Sequence, residues 1–242
     1  MADPPAAARF PTTHWSRVIA AGNEGVPLAR EALADLCRTY WFPLYAFIRR
    51  KGNGPERALD LTQAYFASLL ERRTVAAADP TRGRFRSFLL ADCCHFLAHD
   101  REHDAAARRG GGHALVSIDA RDAEGRYLVE PSHVETPQRL FDRDWALALL
   151  DYVLASLRKE YEESGRGATF EVLKVVLEAR SSRVPHSELA ERLGTTVAAA
   201  QVAVHRLRKR YRDALRAAIA DTVVEAADVD DELNDLFAAL GP

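Results

Sequence analysis

Apolar residues recur at helical spacing along nearly the whole chain. Leu33, Leu36, Cys37, Tyr40, Leu44, Phe47 and Ile48 predict a first long helix. Pro43 sits inside that run and should kink or split it, because it lacks a backbone N–H and its ring crowds the preceding turn. Gly52-Asn53-Gly54-Pro55 should stop it, and Pro55 suits the first turn of the next helix. There Ala58, Leu61, Tyr65, Phe66, Leu69 and Leu70 share one face. A third helix follows the Asp79-Pro80 turn, with Phe85, Phe88, Leu89, Phe96 and Leu97 turned inward, and Arg108-Arg109-Gly110-Gly111-Gly112 ends it.

The helical pattern fails from His113 to Pro137. This stretch holds Gly125, Pro131 and Pro137 among Asp119, Asp122, Glu124, Glu130 and Glu135, and it reads as a mostly extended acidic connector. Helices resume with Trp145, Leu149, Tyr152, Val153 and Leu157, then with Phe170, Leu173, Val176 and Leu177 beyond the Ser164-Gly165-Arg166-Gly167 loop. The expected organisation is all-α: a first helical domain over 9–109, an acidic linker over 110–137, a second helical domain over 138–216 and an acidic tail over 217–242.

The segment from Ser187 to Arg216 is the most informative. Leu189 and Leu193 make a one-sided stripe on a short helix, Gly194 supplies a turn, and Thr195 or Thr196 can cap the helix that follows. On that next helix Ala200, Val204, Leu207, Tyr211 and Leu215 form an apolar face, while Gln201, His205, Arg208 and Arg212 form a polar one. A short helix, a glycine turn and a helix with one apolar and one basic face make the helix-turn-helix pattern, in which cations meet phosphates and polar side chains meet base edges. The plainer reading is an αα-hairpin with a solvated basic face.

Charge adds to this picture through its distribution, since the net value is only −2. Arg206, Arg208, Lys209, Arg210, Arg212 and Arg216 cluster against the single Asp213, and beyond Arg216 there is no Lys or Arg at all. The tail instead carries Asp221, Glu225, Asp228, Asp230, Asp231, Glu232 and Asp235. Val229, Leu233, Leu236, Phe237 and Leu240 give it an apolar face with Asp228 as a cap, so it is expected either to pack on its own domain or to cover the basic helix beside it in sequence. No apolar run approaches the ~18–20 residues of a membrane span, so no membrane partner is expected. Met1-Ala2-Asp3-Pro4-Pro5 does not open a secretion signal. Cys37, Cys93 and Cys94 make a poor disulfide framework, which suits a cytoplasmic location.

Enzymatic readings find little support. His95, His99 and His103 follow at four-residue spacing beside Cys93 and Cys94, but a zinc site needs a further ligand at a diagnostic spacing, so no metal or cofactor is expected. His99-Asp100 resembles the pair of metal phosphohydrolases without their other ligands. Gly110-Gly111-Gly112 lacks the Lys-Ser/Thr of a phosphate-binding loop, and there is no nucleophile elbow.

The chain resembles the extracytoplasmic-function sigma factors of RNA polymerase, and looks closest to a subgroup with an acidic carboxyl-terminal tail. The resemblance rests on Tyr40-Trp41-Phe42-Pro43-Leu44-Tyr45-Ala46-Phe47-Ile48-Arg49-Arg50, Asp60-Leu61-Thr62-Gln63-Ala64-Tyr65-Phe66, Gly83-Arg84-Phe85-Arg86-Ser87-Phe88-Leu89-Leu90, the Ser187–Thr196 segment and Val204-His205-Arg206-Leu207-Arg208-Lys209-Arg210-Tyr211, in that order. It implies a non-enzymatic polymerase subunit whose partners are core RNA polymerase and promoter DNA, with an anti-sigma regulator as a further partner.

By the same resemblance, Asp60, Leu61, Gln63 and Phe66 dock on the polymerase clamp. Arg82, Arg84 and Arg86, with His95 and His99 further along the helix, serve the minus-ten element. Thr196, Gln201, His205, Arg206, Arg208 and Lys209 serve the minus-thirty-five element. Core packing is the expectation for Phe85 and Phe88, although aromatics among cations can also stack on an unpaired base. Gln201 stands where the family usually has Lys or Arg, and Ala203 where many members have Arg. Gln can still read adenine, but fewer cations predict weaker phosphate attraction and a flatter salt dependence. The alternative function is a stand-alone helix-turn-helix regulator, which would have no need of the Asp60–Phe66 or Arg84–Leu90 segments.

Overall fold

A computed structural model describes residues 27–71, 84–106, 120–129, 135–177, 184–223 and 226–241. The fold is all-α: among these residues there are helices and turns and no strand. The helices are α1 Pro27–Arg50, α2 Pro55–Glu71, α3 Phe85–Ala106, α4 Ala120–Val129, α5 Pro137–Glu163, α6 Gly167–Leu173, α7 His186–Leu193, α8 Val197–Ala220 and α9 Val229–Leu240. Short 3-10 turns cover Lys174–Val176 and Ala226–Asp228. Among the described residues no helix is long and apolar enough to cross a membrane.

The chain forms two compact units. One is Met1–Ala148 together with Ile219–Pro242, and the other is Leu149–Ala218. The acidic tail therefore belongs with the first unit.

In the first unit, α1 runs through Pro43 without a break. Proline in a helix interior costs about 3 kcal/mol. Against that stand Tyr40, Trp41, Phe42, Leu44, Tyr45, Phe47 and Ile48, all buried, each contributing roughly 1.5–3 kcal/mol on burial. Packing decides the matter in favour of the helix. α1 packs on α2, and α2 on α3. Tyr40 meets Phe85 edge-on at 5.5 Å, Phe47 meets Phe141 of α5 at 6.2 Å, and Tyr65 of α2 meets Phe96 of α3 at 5.6 Å.

The expected extended connector is helical over Ala120–Val129. The cause is tertiary. Glu124 accepts hydrogen bonds from Arg49 at 2.7 and 3.0 Å and from the Tyr45 hydroxyl at 2.5 Å. Arg126 lies 4.1 Å over the Phe42 ring, Arg49 lies 4.6 Å over Tyr127, and Ala123 is buried. These contacts to α1 outweigh the roughly 1 kcal/mol cost of Gly125 inside a helix.

The second unit closes around Leu157, Tyr161, Phe170, Leu173, Leu189, Ala190, Ala200, Val204 and Leu207. Among them Leu157, Phe170, Leu173, Leu189, Ala200, Val204 and Leu207 are positions the helical periodicity turns inward on α5, α6, α7 and α8. They leave the opposite face of α8 in solvent.

Candidate nucleic-acid interface

The turn between α7 and α8 is built by Gly194. Its φ of 61° is left-handed, its N–H reaches the Glu191 carbonyl at 3.1 Å, and the Thr195 N–H reaches the Ala190 carbonyl at 2.9 Å. This pair of bonds is a Schellman stop, which satisfies the last carbonyls of α7. Thr196 then caps α8, its hydroxyl accepting the Ala199 N–H at 3.2 Å. Thr196 is thus the cap of the two candidates, and its oxygen is engaged by the helix.

Ala200, Val204 and Leu207 anchor α8 in the core, so Gln201, Val202, His205, Arg206, Arg208, Lys209 and Arg212 are exposed together. Arg210 is drawn off this set. It donates to Glu160 at 2.5 Å and lies 5.1 Å from the Tyr161 ring centroid.

The first unit treats its predicted site residues unevenly. On α2, Asp60 is exposed and Gln63 is half-buried, but Leu61 and Phe66 are core residues at 3% and 6% exposure. The expectation that Leu61 and Phe66 touch a partner is corrected: their side chains face inward, where the helical period puts them. On α3, His95 and His99 are exposed and Cys93 is buried, with burial pushing its thiol pKa up. The side chain of His103 lies outside the described residues, as does Arg82. Among the described residues no three His, Cys, Asp or Glu side chains come together in a way that could hold a metal ion. Phe85 is fully buried, and Phe88 is half-buried beside it at 6.3 Å.

Arg84 and Arg86 have unexpected company. Arg84 Nε lies 2.8 Å from Glu232 Oε2, in an ion pair without hydrogen-bond alignment, and Arg84 also pairs with Asp235. Arg86 pairs with Glu232, with Asp235 at 3.3 Å and with Asp142 at 3.0 Å, and its guanidinium lies 4.5 Å over the Trp145 ring. Arg86 is only 6% exposed, so it offers no free surface to DNA as it stands. Burial raises the carboxyl pKa of Glu232 and of Asp142 despite the neighbouring arginines. A cleft of about 210 Å³ opens beside this cluster, walled by Arg86, Glu135, Arg139 and Asp142 on one side and by Asp235, Ala238 and Ala239 of α9 on the other.

The tail therefore meets the arginines that begin α3, within the first unit. Of the two expected placements, packing on its own domain or covering the basic helix beside it in sequence, neither named these arginines. Asp228 stands at the start of α9 in a helical conformation and makes no side-chain cap. Val229 and Leu236 are buried as expected, while Phe237 is 58% exposed. Sequence reasoning missed Asp142, Glu232 and Asp235 as partners of Arg84 and Arg86. The acidic tail was the available signal, but net charge does not say which basic segment it will meet.

Comparison of the chain with protein-family models, with curated proteins and with solved structures finds no match.

Proposed function

We propose that this chain is an RNA polymerase sigma factor of the extracytoplasmic-function kind, a non-catalytic subunit that brings core polymerase to promoter DNA in the cytoplasm. The observation that carries the reading is the presence, in one chain, of two polar helix faces with different chemistry, a basic one exposed on α8 and one on α2 where Asp60 is exposed and Gln63 half-buried. α8 offers Gln201, His205, Arg206, Arg208 and Lys209, which suit phosphates and base edges. α2 offers Asp60 and Gln63, which suit a protein partner. A regulator that only reads DNA requires the first face and not the second.

On this reading α7 and α8 form a helix-turn-helix that reads the minus-thirty-five element, with Gln201 set to meet adenine. The α2 face docks on the polymerase. The start of α3, at Arg84, serves the minus-ten element, with His95 and His99 further along the same helix. The acidic segment around α4 follows the path of RNA.

The test is run-off transcription with purified core polymerase on a library of promoters, together with co-purification of the chain with core. Promoter-specific initiation and a stable complex are expected. Sequence-specific DNA binding with neither initiation nor a core complex would replace this reading with a stand-alone regulator.

A further inference from the structure

The geometry points to an autoinhibitory contact in which α9 occupies, with its carboxylates, an arginine cluster that otherwise takes a nucleic-acid phosphate backbone. The identity of the ligand as promoter DNA rests on the sigma-factor reading. The contact itself lies wholly within the first unit.

Glu232 and Asp235 stand three residues apart on α9, hence on one face of the helix. Together they give oxygens to both Arg84 and Arg86. Paired oxygens on guanidinium forks are also how phosphates are held. The carboxylates thus stand in for the backbone anions of a nucleic acid. Asp230 and Asp231 are exposed on the same helix, and no Lys or Arg follows Arg216, so the tail's field repels a polyanion approaching Arg84.

The contact is also built to separate. If α9 leaves, Arg86 keeps Asp142 and the Trp145 face, so no unpaired charge is stranded in the unit. Glu232 leaves with its helix and becomes hydrated. The apolar grip of α9 is partial: Val229 and Leu236 are buried, Leu233 and Leu240 are half-buried, and Phe237 faces solvent. One wall of the cleft belongs to α9, through Asp235, Ala238 and Ala239, so its departure opens Arg86 and Arg139 to an incoming strand.

The test compares the full chain with three full-length variants. Asp235→Asn breaks contacts to both arginines from a half-exposed position. Asp231→Asn removes the same charge from an exposed position on α9. Asp235→Asn combined with Arg84→Ala removes the site that α9 covers. Binding to duplex and single-stranded promoter DNA is measured by fluorescence anisotropy across a salt series, with thermal unfolding followed in parallel. Asp235→Asn should bind about tenfold more tightly, with a salt slope steeper by roughly 0.7–0.9 per recovered phosphate contact. Arg84→Ala should cancel that gain, and Asp231→Asn should fall well short of it.

Equal gains in Asp235→Asn and Asp231→Asn, or no gain in either, would overturn the proposal. Run-off transcription separates this outcome from failure of the functional reading. If the parent chain initiates transcription but Asp235→Asn binds DNA no better, α9 does not mask the cluster and the sigma reading stands. If Asp235→Asn gains affinity yet no form initiates with core polymerase, the masking stands and the sigma reading falls.

Discussion

Arg86 and Glu232 lie 146 residues apart in sequence and form an ion pair inside the first unit, with 6% and 1% of their surfaces exposed. A buried pair adds little net stability compared with apolar residues of the same size, but removing one partner leaves the other uncompensated. Arg86→Ala should therefore destabilise the unit by about 3–5 kcal/mol. It removes one of the two arginines paired with Glu232, strips Asp142 of its ion pair and takes a cation off Trp145. Glu232→Gln should cost less, because the amide is neutral and still accepts a hydrogen bond. Chemical denaturation of the two variants checks the order. Equal losses would mean that the arginine's other contacts contribute little.

Two carboxylates of the first unit should respond to pH in opposite senses. The Arg49 hydrogen bond holds Glu124 below the usual carboxylate range. The stability it contributes is fully present above the ordinary Glu value of about 4.3 and is lost as pH falls through its lowered value. Burial raises Glu232, whose contribution is present below the ordinary value and is lost as pH rises through the raised one. A carboxyl-carbon NMR titration should show Glu232 taking up its proton first on acidification and Glu124 well after it. Glu124→Gln should flatten the acid limb of the stability curve.

Gly194 makes a backbone prediction free of packing effects. A Cβ placed there meets nothing within 4 Å, yet the φ of 61° disfavours any L side chain. Gly194→Ala should lower the stability of the second unit by about 1–2 kcal/mol through the left-handed conformation alone. Gly194→Asn should lose less, since Asn tolerates that region. Thermal melts of the two variants give the comparison.

Neighbours on α2 should separate stability from association. Leu61→Ala empties a core position and should cost about 2–5 kcal/mol. Asp60→Lys alters only an exposed side chain and should stay within about 0.5 kcal/mol of the parent, while reducing capture of core polymerase in a pull-down. Parent-like capture by Asp60→Lys would move the docking surface off this helix.

The parts of the fold legible in the sequence are those decided over a turn or two of helix. The inward stripe of α2, the stop at Gly194 and the apolar face of α8 all follow from a 3.6-residue period and a glycine, and they stand where the pattern put them. The motif that named Asp60, Leu61, Gln63 and Phe66 together runs across two faces of α2: Asp60 is exposed, while Leu61 and Phe66 follow the inward stripe. Pro43 and Gly125 argued locally against helix, and both are helical because aromatic packing on α1 and the Arg49–Glu124 pair outweigh the local cost.

The sequence by itself determined an all-α chain, the faces of its helices and the exposed polar surface of α8, because each depends on residues within about one turn of each other. The tertiary structure alone decided where the acidic tail goes. Charge composition says that Glu232 and Asp235 will favour cations, and it offers a cluster close by on α8. Which cations they meet depends on how the chain returns on itself, and it returns Ile219–Pro242 to the first unit, where Arg84 and Arg86 begin α3. Pairing over such a separation is set by the packing of Val229 and Leu236 and by the position of Trp145 and Asp142, none of which a periodicity can see.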